Sequence, residues 1–484
     1  MDPHGAVIRR FDVVVIGAGP AGAVAAIRAA ELGARTALVT AQEFGGMAAH
    51  DGPVPVRTLA FAARLMRDAR QLGQFGITTS DPQLHYDRLL ARVREIVHQV
   101  SSNSALRERI DELGVKVLEN AGPARFVGPH DIESEAGLRL AAPKFIVCTG
   151  GVNRRLAVPG FELTQSHSDA LQSSVVPPSM LVIGGGNTGV QIAAMFRAFG
   201  TQVQLFERGT RILRSADEAV AAAVTAGLRE SGVDVHERFG SIISFEKTPV
   251  GLRMNFRDRE RDTSAEASMI VVAGGWQADT ACMNLGAAGV ELDARGNVEV
   301  DEFLQTTAPH IFAAGDVTGR LMLVPGAIED GFVAATNAIE GATLPLPRRV
   351  TPAGSFTHPE YAEVGLTEAA ARAAHDIVTT LVPFQAAIRP IIEGRTFGFC
   401  KLVVNRGNCR ILGCHVVGDR AVEIAQLAAV AIAADMRVDD LARVAVSFPT
   451  YAEVLVHAAI LAAVELGLPL CGQAECVRRS GVAV

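Results

Sequence analysis

Two glycine-rich turns about 167 residues apart, each set between a β-branched strand and an alanine-rich helix, constrain this chain more than any other feature. The first, Gly17-Ala18-Gly19-Pro20-Ala21-Gly22, follows an apolar run from Phe11 to Ile16 and opens a helical stretch to Leu32. Gly33 stops that helix, and Arg35 to Val39 resumes strand character. The second, Gly184-Gly185-Gly186-Asn187-Thr188-Gly189, follows Met180 to Ile183, opens a helix to Phe199, and leads through Gly200 into a strand from Thr201 to Glu207. Each reads as a βαβ unit whose glycines permit a tight turn and let backbone N–H groups reach a pyrophosphate at the helix N-terminus. Two such units predict an α/β chain that holds two dinucleotides.

At 484 residues the chain is too long for one core, and about three domains are expected. Apolar residues at helical spacing predict helices over Leu59 to Leu72 and Leu84 to Leu113, and Val115 to Val147 reads as short strands with turns. From Thr351 the texture changes. Thr396 to Val404 and Cys409 to Val417 flank an Asn-Arg-Gly-Asn turn as a hairpin, followed by a helix over Ala421 to Ala434, the pattern of an α+β module. The proline-rich segment Leu344 to Pro352 is the expected boundary before it.

A formal net charge of −7 supplies no basic excess for phosphates or anionic lipid, so neither nucleic acid nor membrane is an expected partner. The apolar run from Val13 to Ala30 is interrupted by Arg28, follows Asp12 and is too short to span a bilayer. Seven scattered cysteines suit a reducing compartment, and the expected location is cytoplasmic.

Ile311-Phe312-Ala313-Ala314-Gly315-Asp316 and the Thr149-Gly150 turn, together with both fingerprints, resemble the pyridine nucleotide-disulfide oxidoreductases, which include lipoamide dehydrogenase, glutathione reductase and mercuric reductase. Phe356-Thr357-His358-Pro359-Glu360 and Val364-Gly365-Leu366-Thr367 resemble the opening of that family's C-terminal dimerisation domain. The resemblance runs essentially end to end. It implies two Rossmann-like domains and a C-terminal α+β dimerisation domain: an FAD-binding domain over 1–160 and 286–349, an inserted NAD(P)H-binding domain over 161–285, and the dimerisation domain over 350–484. FAD is expected on Gly17, Gly19, Gly22, Thr40, Gly46, Thr149, Gly150, Gly315 and Asp316, with Asp316 on the ribityl chain. The nicotinamide nucleotide is expected on Gly184, Gly186, Asn187, Gly189, Gln191, Glu207, Arg208 and Gly275. Glu207 stands where a carboxylate accepts from a ribose 2′-hydroxyl, which favours NADH; NADPH is the alternative if Arg208, Arg211 and Arg214 clamp a 2′-phosphate.

Several departures matter. The family's redox motif aligns on Gly45 to Arg57 and puts Ala48 and Pro53 where its two cysteines stand, so no dithiol can relay electrons there. Its flavin-side lysine matches Arg57, the glutamate partner matches Gln191, and a nicotinamide-gating tyrosine matches Asn187, which predicts an arginine facing an amide and a more open entrance. The ribose-binding acid that ends the second strand is Thr40. The His-Pro-Thr-x-x-Glu of the dimer partner appears as Phe448-Pro449-Thr450-Tyr451-Ala452-Glu453, without its histidine. Glu453 reads as a structural carboxylate, with His457 one helical turn on. Cys148 and Cys282 are expected to be buried, and Cys409 and Cys414 to lie on opposite faces of one strand. Cys471 and Cys476 resemble the C-terminal metal-delivering pair of mercuric reductases; no metal site is otherwise expected.

These residues predict a homodimeric flavoprotein that takes hydride from NADH and passes electrons directly to a small diffusible acceptor. A quinone would suit a slot formed by Ala48, Pro53 and Phe448 beside the Arg57 charge. Two other readings stay open: a non-catalytic dimer that senses or scaffolds, and a metal-ion reductase fed by the tail cysteines.

Overall fold

The computed structural model describes residues 8–470 apart from 103, 260 and 348. Val13–Ile16 is the middle of a five-stranded parallel sheet, flanked by Thr36–Val39 and Lys116–Leu118 on one side and by Lys144–Val147 and Ile311–Ala313 on the other. All four residues of Val13–Ile16 are buried, as a parallel strand covered on both faces requires. The helix Pro20–Glu31 covers one face and packs on Val324–Glu340 so closely that a Cβ on Gly331 would lie 2.2 Å from the Ala21 carbonyl oxygen. The alanines of both helices therefore serve a backbone contact that larger side chains would prop apart.

The second unit repeats this plan. Its four parallel strands run in the order Asp234–Glu237, Gln202–Glu207, Ser179–Ile183, Met269–Val272, with the helix Asn187–Phe199 after the second fingerprint. A three-stranded antiparallel sheet, Ser241–Thr248, Gly251–Asp258 and Arg261–Ala267, precedes the last of these strands and was not foreseen. A short antiparallel pair, Gly151–Asn153 with Trp276–Ala278, joins the two dinucleotide units beside the cleft between them.

The helix expected over Leu84 to Leu113 is two helices, Tyr86–Ser102 and Ala105–Glu112. The first helix ends at Ser102, and Ser104, a residue type favoured at helix starts over helix interiors, is the N-cap of the second. The C-terminal unit is a five-stranded antiparallel sheet that contains the expected hairpin, Phe399–Asn405 with Ile411–Val417, backed by the helices Ala421–Ala433 and Glu453–Glu465. Cys409 lies in the hairpin turn with a φ of 62°, not on the strand with Cys414 as the sequence had suggested. Among the described residues no helix is long and apolar enough to cross a membrane.

A buried ionic knot fixes the C-terminal unit to the second dinucleotide unit. Asp217 caps the helix Glu218–Glu230 by accepting from the Ala219 N–H, and its other oxygen accepts from the Glu368 N–H. The Lys401 ammonium lies between Asp217 (2.8 Å) and Glu368 (2.6 Å), and both Lys401 and Asp217 are buried. Removing one member of such a pair leaves a buried charge unmatched. Lys401→Met is expected to destabilise the protein by roughly 3 kcal/mol and lower its thermal midpoint clearly. A midpoint within a degree of the parent would show that the knot contributes no stability.

Candidate functional site

The two fingerprints open onto one cleft of about 1470 Å³, more than the ~300–1,000 Å³ typical of a single small-molecule pocket. At the first fingerprint, helix and strand meet backbone to backbone: a Cβ on Gly22 would fall 1.8 Å from the Gly17 carbonyl oxygen, so no other residue fits. The loop Gly45–Gly46 comes down on the turn from above, with the Gly45 N–H on the Ala18 carbonyl and a Gly46 Cβ only 2.8 Å from the Gly19 Cα. Gly184 and Gly189 repeat the first contact at the second fingerprint. Gly19 and Gly186 are the N-caps of the two helices, and beside both there is open space, as there is beside Gly150 and Gly275. Two helix N-termini with unobstructed N–H groups are the cradles that dinucleotide pyrophosphates need.

Asp316 lines the cleft, and no hydrogen bond to its carboxylate is formed among the described residues. Burial, aided by nearby Asp330, lifts it from an ordinary 3.8 to about 6. A half-buried acceptor without a donor fits a hydroxylated chain such as ribityl. Asp330 itself is occupied by the Gly315 N–H and by Arg349. The Thr149 hydroxyl donates to the Asp279 carbonyl, so Thr149 shapes the turn and leaves its backbone to the cleft. Thr40 ends its strand at the far end of the cleft, where Glu43 and Glu135 also line the wall. Neither was singled out in the sequence: Glu43 lies three residues beyond Thr40, and Glu135 arrives from a distant hairpin.

At the second fingerprint the Glu207 carboxylate accepts from the Gly185 N–H (2.8 Å) and the Gly209 N–H (2.5 Å), which pins it beside the turn. The three arginines that follow divide. Arg211 spends its guanidinium on the carbonyls of Leu213, Arg214 and Ala216, and Arg208 is exposed and off the cleft wall, so only Arg214 lines it. Asn187 lines the cleft, and its side-chain oxygen accepts from the Tyr361 hydroxyl at 2.7 Å.

Between the cradles lie Ala48, Pro53, Val56 and Arg57, all on the cleft wall. Arg57 does not pair with Gln191, whose amide donates to the Asn187 carbonyl in its own helix. Instead its guanidinium stacks 3.5 Å from the Phe356 ring centroid, with Nη2 3.5 Å from the Gly354 carbonyl. Its buried Nη1 has no hydrogen-bond partner among the described residues. Burial lowers Arg57 to about 10, against the pull of Glu360 and Tyr361, so it remains a cation at neutral pH. A desolvated guanidinium with a donor to spare can meet negative charge.

The sequence reading missed His167. Its ring is buried on the cleft wall, with Nε2 3.1 Å from the Asp51 carbonyl and Nδ1 2.9 Å from the Asn153 amide nitrogen. A carbonyl can only accept, so Nε2 carries the proton and Nδ1 accepts from Asn153: a neutral tautomer fixed from both sides. Burial also pushes its pKa down. Trp276 packs edge-on against it at 4.9 Å and reaches Thr188 Oγ1 at 3.4 Å. His167 thus holds the loop Asp51–Pro53 in place.

Phe448, Glu453 and His457 do not line this cleft. Phe448 is 72% exposed, and Glu453 is buried and accepts from the Thr450 N–H at 2.8 Å. His457 is half-buried, its pKa pushed down by burial against the pull of Glu453. Cys148 sits beneath the first fingerprint, where burial and Asp330 raise its thiol far above the ordinary value. Cys282, expected to be buried, is exposed on the cleft rim. Cys471 and Cys476 lie outside the described residues. Among the described residues no cluster of three or more His, Cys, Asp or Glu side chains could hold a metal ion.

Residues 11–331 match the pyridine nucleotide-disulphide oxidoreductase family, and residues 351–459 match its dimerisation domain. A mercuric reductase of Bacillus cereus is 30% identical over 451 residues, 92% of this chain and 70% of that protein. A dihydrolipoyl dehydrogenase of Thermus scotoductus is 32% identical over 460 residues, 93% and 97% of the two chains. A glutathione reductase of Burkholderia cepacia is 31% identical over 454 residues, 92% and 97%. The HOCl-induced flavoprotein disulfide reductase RclA of Escherichia coli shares the fold, with a TM-score of 0.82 at 24% identity over 93% of this chain and 99% of its own. Members of the family bind FAD and use NAD(P)H, and the cleft described above has the cradles for both. The chain therefore belongs to the pyridine nucleotide-disulphide oxidoreductase family, and it carries that family's dimerisation domain.

Proposed function

We propose that this flavoprotein takes reducing equivalents from NADH and gives them directly to a small diffusible acceptor, with quinones as the best-fitting class. The observation that carries the reading is chemical: Ala48 and Pro53 line the cleft where the family's redox cysteines align, and neither can form a disulfide or a thiolate. FAD, held at the first fingerprint and Asp316, would supply two-electron redox chemistry between a nicotinamide and the acceptor. The chain's own residues do the rest. The N–H groups at Gly19 and Gly186 hold pyrophosphates, Asp316 accepts from the ribityl chain, and Glu207 accepts from the nucleotide's ribose. Arg57 supports negative charge on the acceptor side, and His167 keeps the loop Asp51–Pro53 from closing the slot. Phe448, exposed on its own chain, is an apolar surface available to the second subunit's slot. The dimer operates in a reducing, cytoplasmic setting.

Disulfide reduction, the activity in the name of the Escherichia coli protein, is not carried over, because this loop has no sulfur to exchange. Metal-ion reduction is a second reading, favoured by the mercuric reductases among the relatives and by the Cu(II) complex of the Escherichia coli protein. It would require Cys471 and Cys476. A stopped-flow screen of pre-reduced enzyme separates the readings: fast reoxidation by a quinone supports direct transfer, and fast reoxidation by Hg(II) or Cu(II) alone supports the metal. Failure of NADH to bleach the flavin at all would leave only a sensor or scaffold.

Glu207 generates a prediction about the nucleotide. NADH is expected to reduce the flavin faster than NADPH at equal subsaturating concentration, and Glu207→Ala should narrow that gap. A preference for NADPH in the parent protein would assign the phosphate to Arg214 instead.

The raised Asp316 carboxyl predicts a pH effect on the cofactor-free protein. Below about pH 4 this group is protonated folded or unfolded and contributes nothing. Between about pH 4 and about pH 6 the unfolded chain has ionised this acid while the buried folded one keeps its proton, so stability falls as pH rises. Apoprotein is therefore expected to lose stability between about pH 4 and about pH 6 and to level off above that, and Asp316→Asn should flatten the loss; identical slopes for the two proteins would contradict it.

The thiol-free loop predicts a simple reductive titration. Anaerobic NADH should bleach the flavin with about one equivalent and without a thiolate-to-flavin charge-transfer band. Phe448→Ala should weaken quinone turnover several-fold and leave reduction by NADH nearly unchanged. Equal losses in both half-reactions would remove Phe448 from the acceptor slot.

A further inference from the structure

Away from the cleft, a cavity of about 420 Å³ lies where three parts of the chain meet. These are the helix Pro53–Gln71, the C-terminal ends of Asn187–Phe199 and Glu218–Glu230, and the turn at His358 that opens the C-terminal unit. Its wall carries Arg67, Arg70, Arg197, Ser231 and His358, and no carboxylate. An all-basic wall at a junction is unusual, because like charges there repel one another and need a counter-charge.

The nearby carboxylates, Asp68 and Asp419, supply one only in part. Asp68 and Asp419 are taken up by two other arginines: Arg64 bonds Asp419 at 2.9 Å, and Arg395 reaches Asp68 at 2.6 Å and Asp419 at 3.3 Å. Arg67 forms no hydrogen bond or ion pair among the described residues, although its guanidinium brings five donors. Burial lowers it to about 10, with Asp68 and Asp419 pulling back, so it is still charged at neutral pH. Arg197 is steadied by one bond, from Nε to the Ser231 carbonyl at 2.8 Å. Arg70 has only the exposed Asp81 at 3.8 Å, a pair of little worth. His358 is pushed down to about 4 by burial and by Arg67 and Arg395, so it is neutral and can still donate one N–H. The helix Asn187–Phe199 does turn its carbonyl end this way, but its Phe196 and Arg197 carbonyls already accept from the Thr201 and Gly200 N–H groups.

We propose that this junction cavity binds a phosphate or a small phosphate monoester, gripped by the Arg67 and Arg197 guanidinium forks with Arg70 at the rim. Planar guanidinium groups meet phosphate oxygens two bonds at a time, and a neutral imidazole adds a donor without adding charge. The volume exceeds what a bare phosphate fills and leaves room for a small organic part. Because its ligands come from all three units, an occupant ties the nucleotide-binding unit to its neighbours and stiffens their packing.

The test uses the full-length, FAD-loaded protein saturated with NAD+, so that the cleft's own phosphate cradles are filled. Inorganic phosphate and glycerol 3-phosphate are titrated against thermal unfolding and calorimetry, with KCl at matched ionic strength and citrate as comparisons. Both phosphates are expected to raise the midpoint saturably where KCl does not, with Arg67→Gln and Arg197→Gln each weakening half-saturation by about tenfold or more. If Arg67→Gln does not fold, Arg67→Lys keeps the charge, loses the fork, and should still weaken binding. An unchanged response in these variants, or a KCl response equal to that of phosphate, overturns the site. Tighter binding of citrate than of either phosphate overturns the ligand class.

Discussion

The contact on which this structure depends is the one between a strand-end carbonyl and the first turn of the following helix. With only hydrogen at Gly22 and Gly189, the Gly17 and Gly184 carbonyls approach the helices without a side chain between them. That approach aims each helix N-terminus over the carboxyl edge of its sheet, where ligands of open parallel sheets bind. Everything else in the cleft is arranged around these two points. The Gly45–Gly46 loop rests on the first turn, Glu207 is pinned to the second, and the short strand pair between the units sets the distance that separates them.

Repetition and local chemistry made most of this fold legible in the sequence. Both βαβ units, the C-terminal hairpin and the helix Ala421–Ala433 stand close to where apolar periodicity and glycine placement put them. The three-stranded sheet of Ser241–Ala267 was missed although its middle strand alternates Leu252, Met254 and Phe256 with Arg253, Asn255 and Arg257; the two strands that flank it are more polar and carry no such pattern. The helix expected from Leu84 to Leu113 broke because apolar spacing on either side of a short polar turn can stay in phase.

The site was legible where a residue acts through its own backbone, and illegible where it acts through partners remote in sequence. The fingerprint glycines stand at the strand–helix turns that their spacing predicts, and Glu207 ends its strand beside the second turn. Arg57 was not legible, since its actual neighbours, Phe356 and Gly354, are about 300 residues away in another unit. The His167–Asn153–Trp276 group was missed as well: Trp276 stands more than 100 residues from the other two, and all three look like ordinary polar and aromatic residues until the strand pair brings them together. The loop Asp51–Pro53 is held by an imidazole whose two nitrogens are both engaged.

The edge strand Ile311–Ala313 has a further implication for how the molecule comes into being. The first sheet is incomplete until this strand pairs with Lys144–Val147, and between the two in the chain lies the entire second unit. During synthesis the second unit has emerged whole, and can acquire its own core, while the first still exposes an unpaired parallel edge and the apolar face that Val324–Glu340 will cover. Closing that gap joins segments separated by more than 160 residues, but the intervening unit, once folded, shortens the effective span to the distance between its own ends. The inserted unit therefore acts as an internal template: its early collapse lowers the entropic cost of completing the unit that surrounds it.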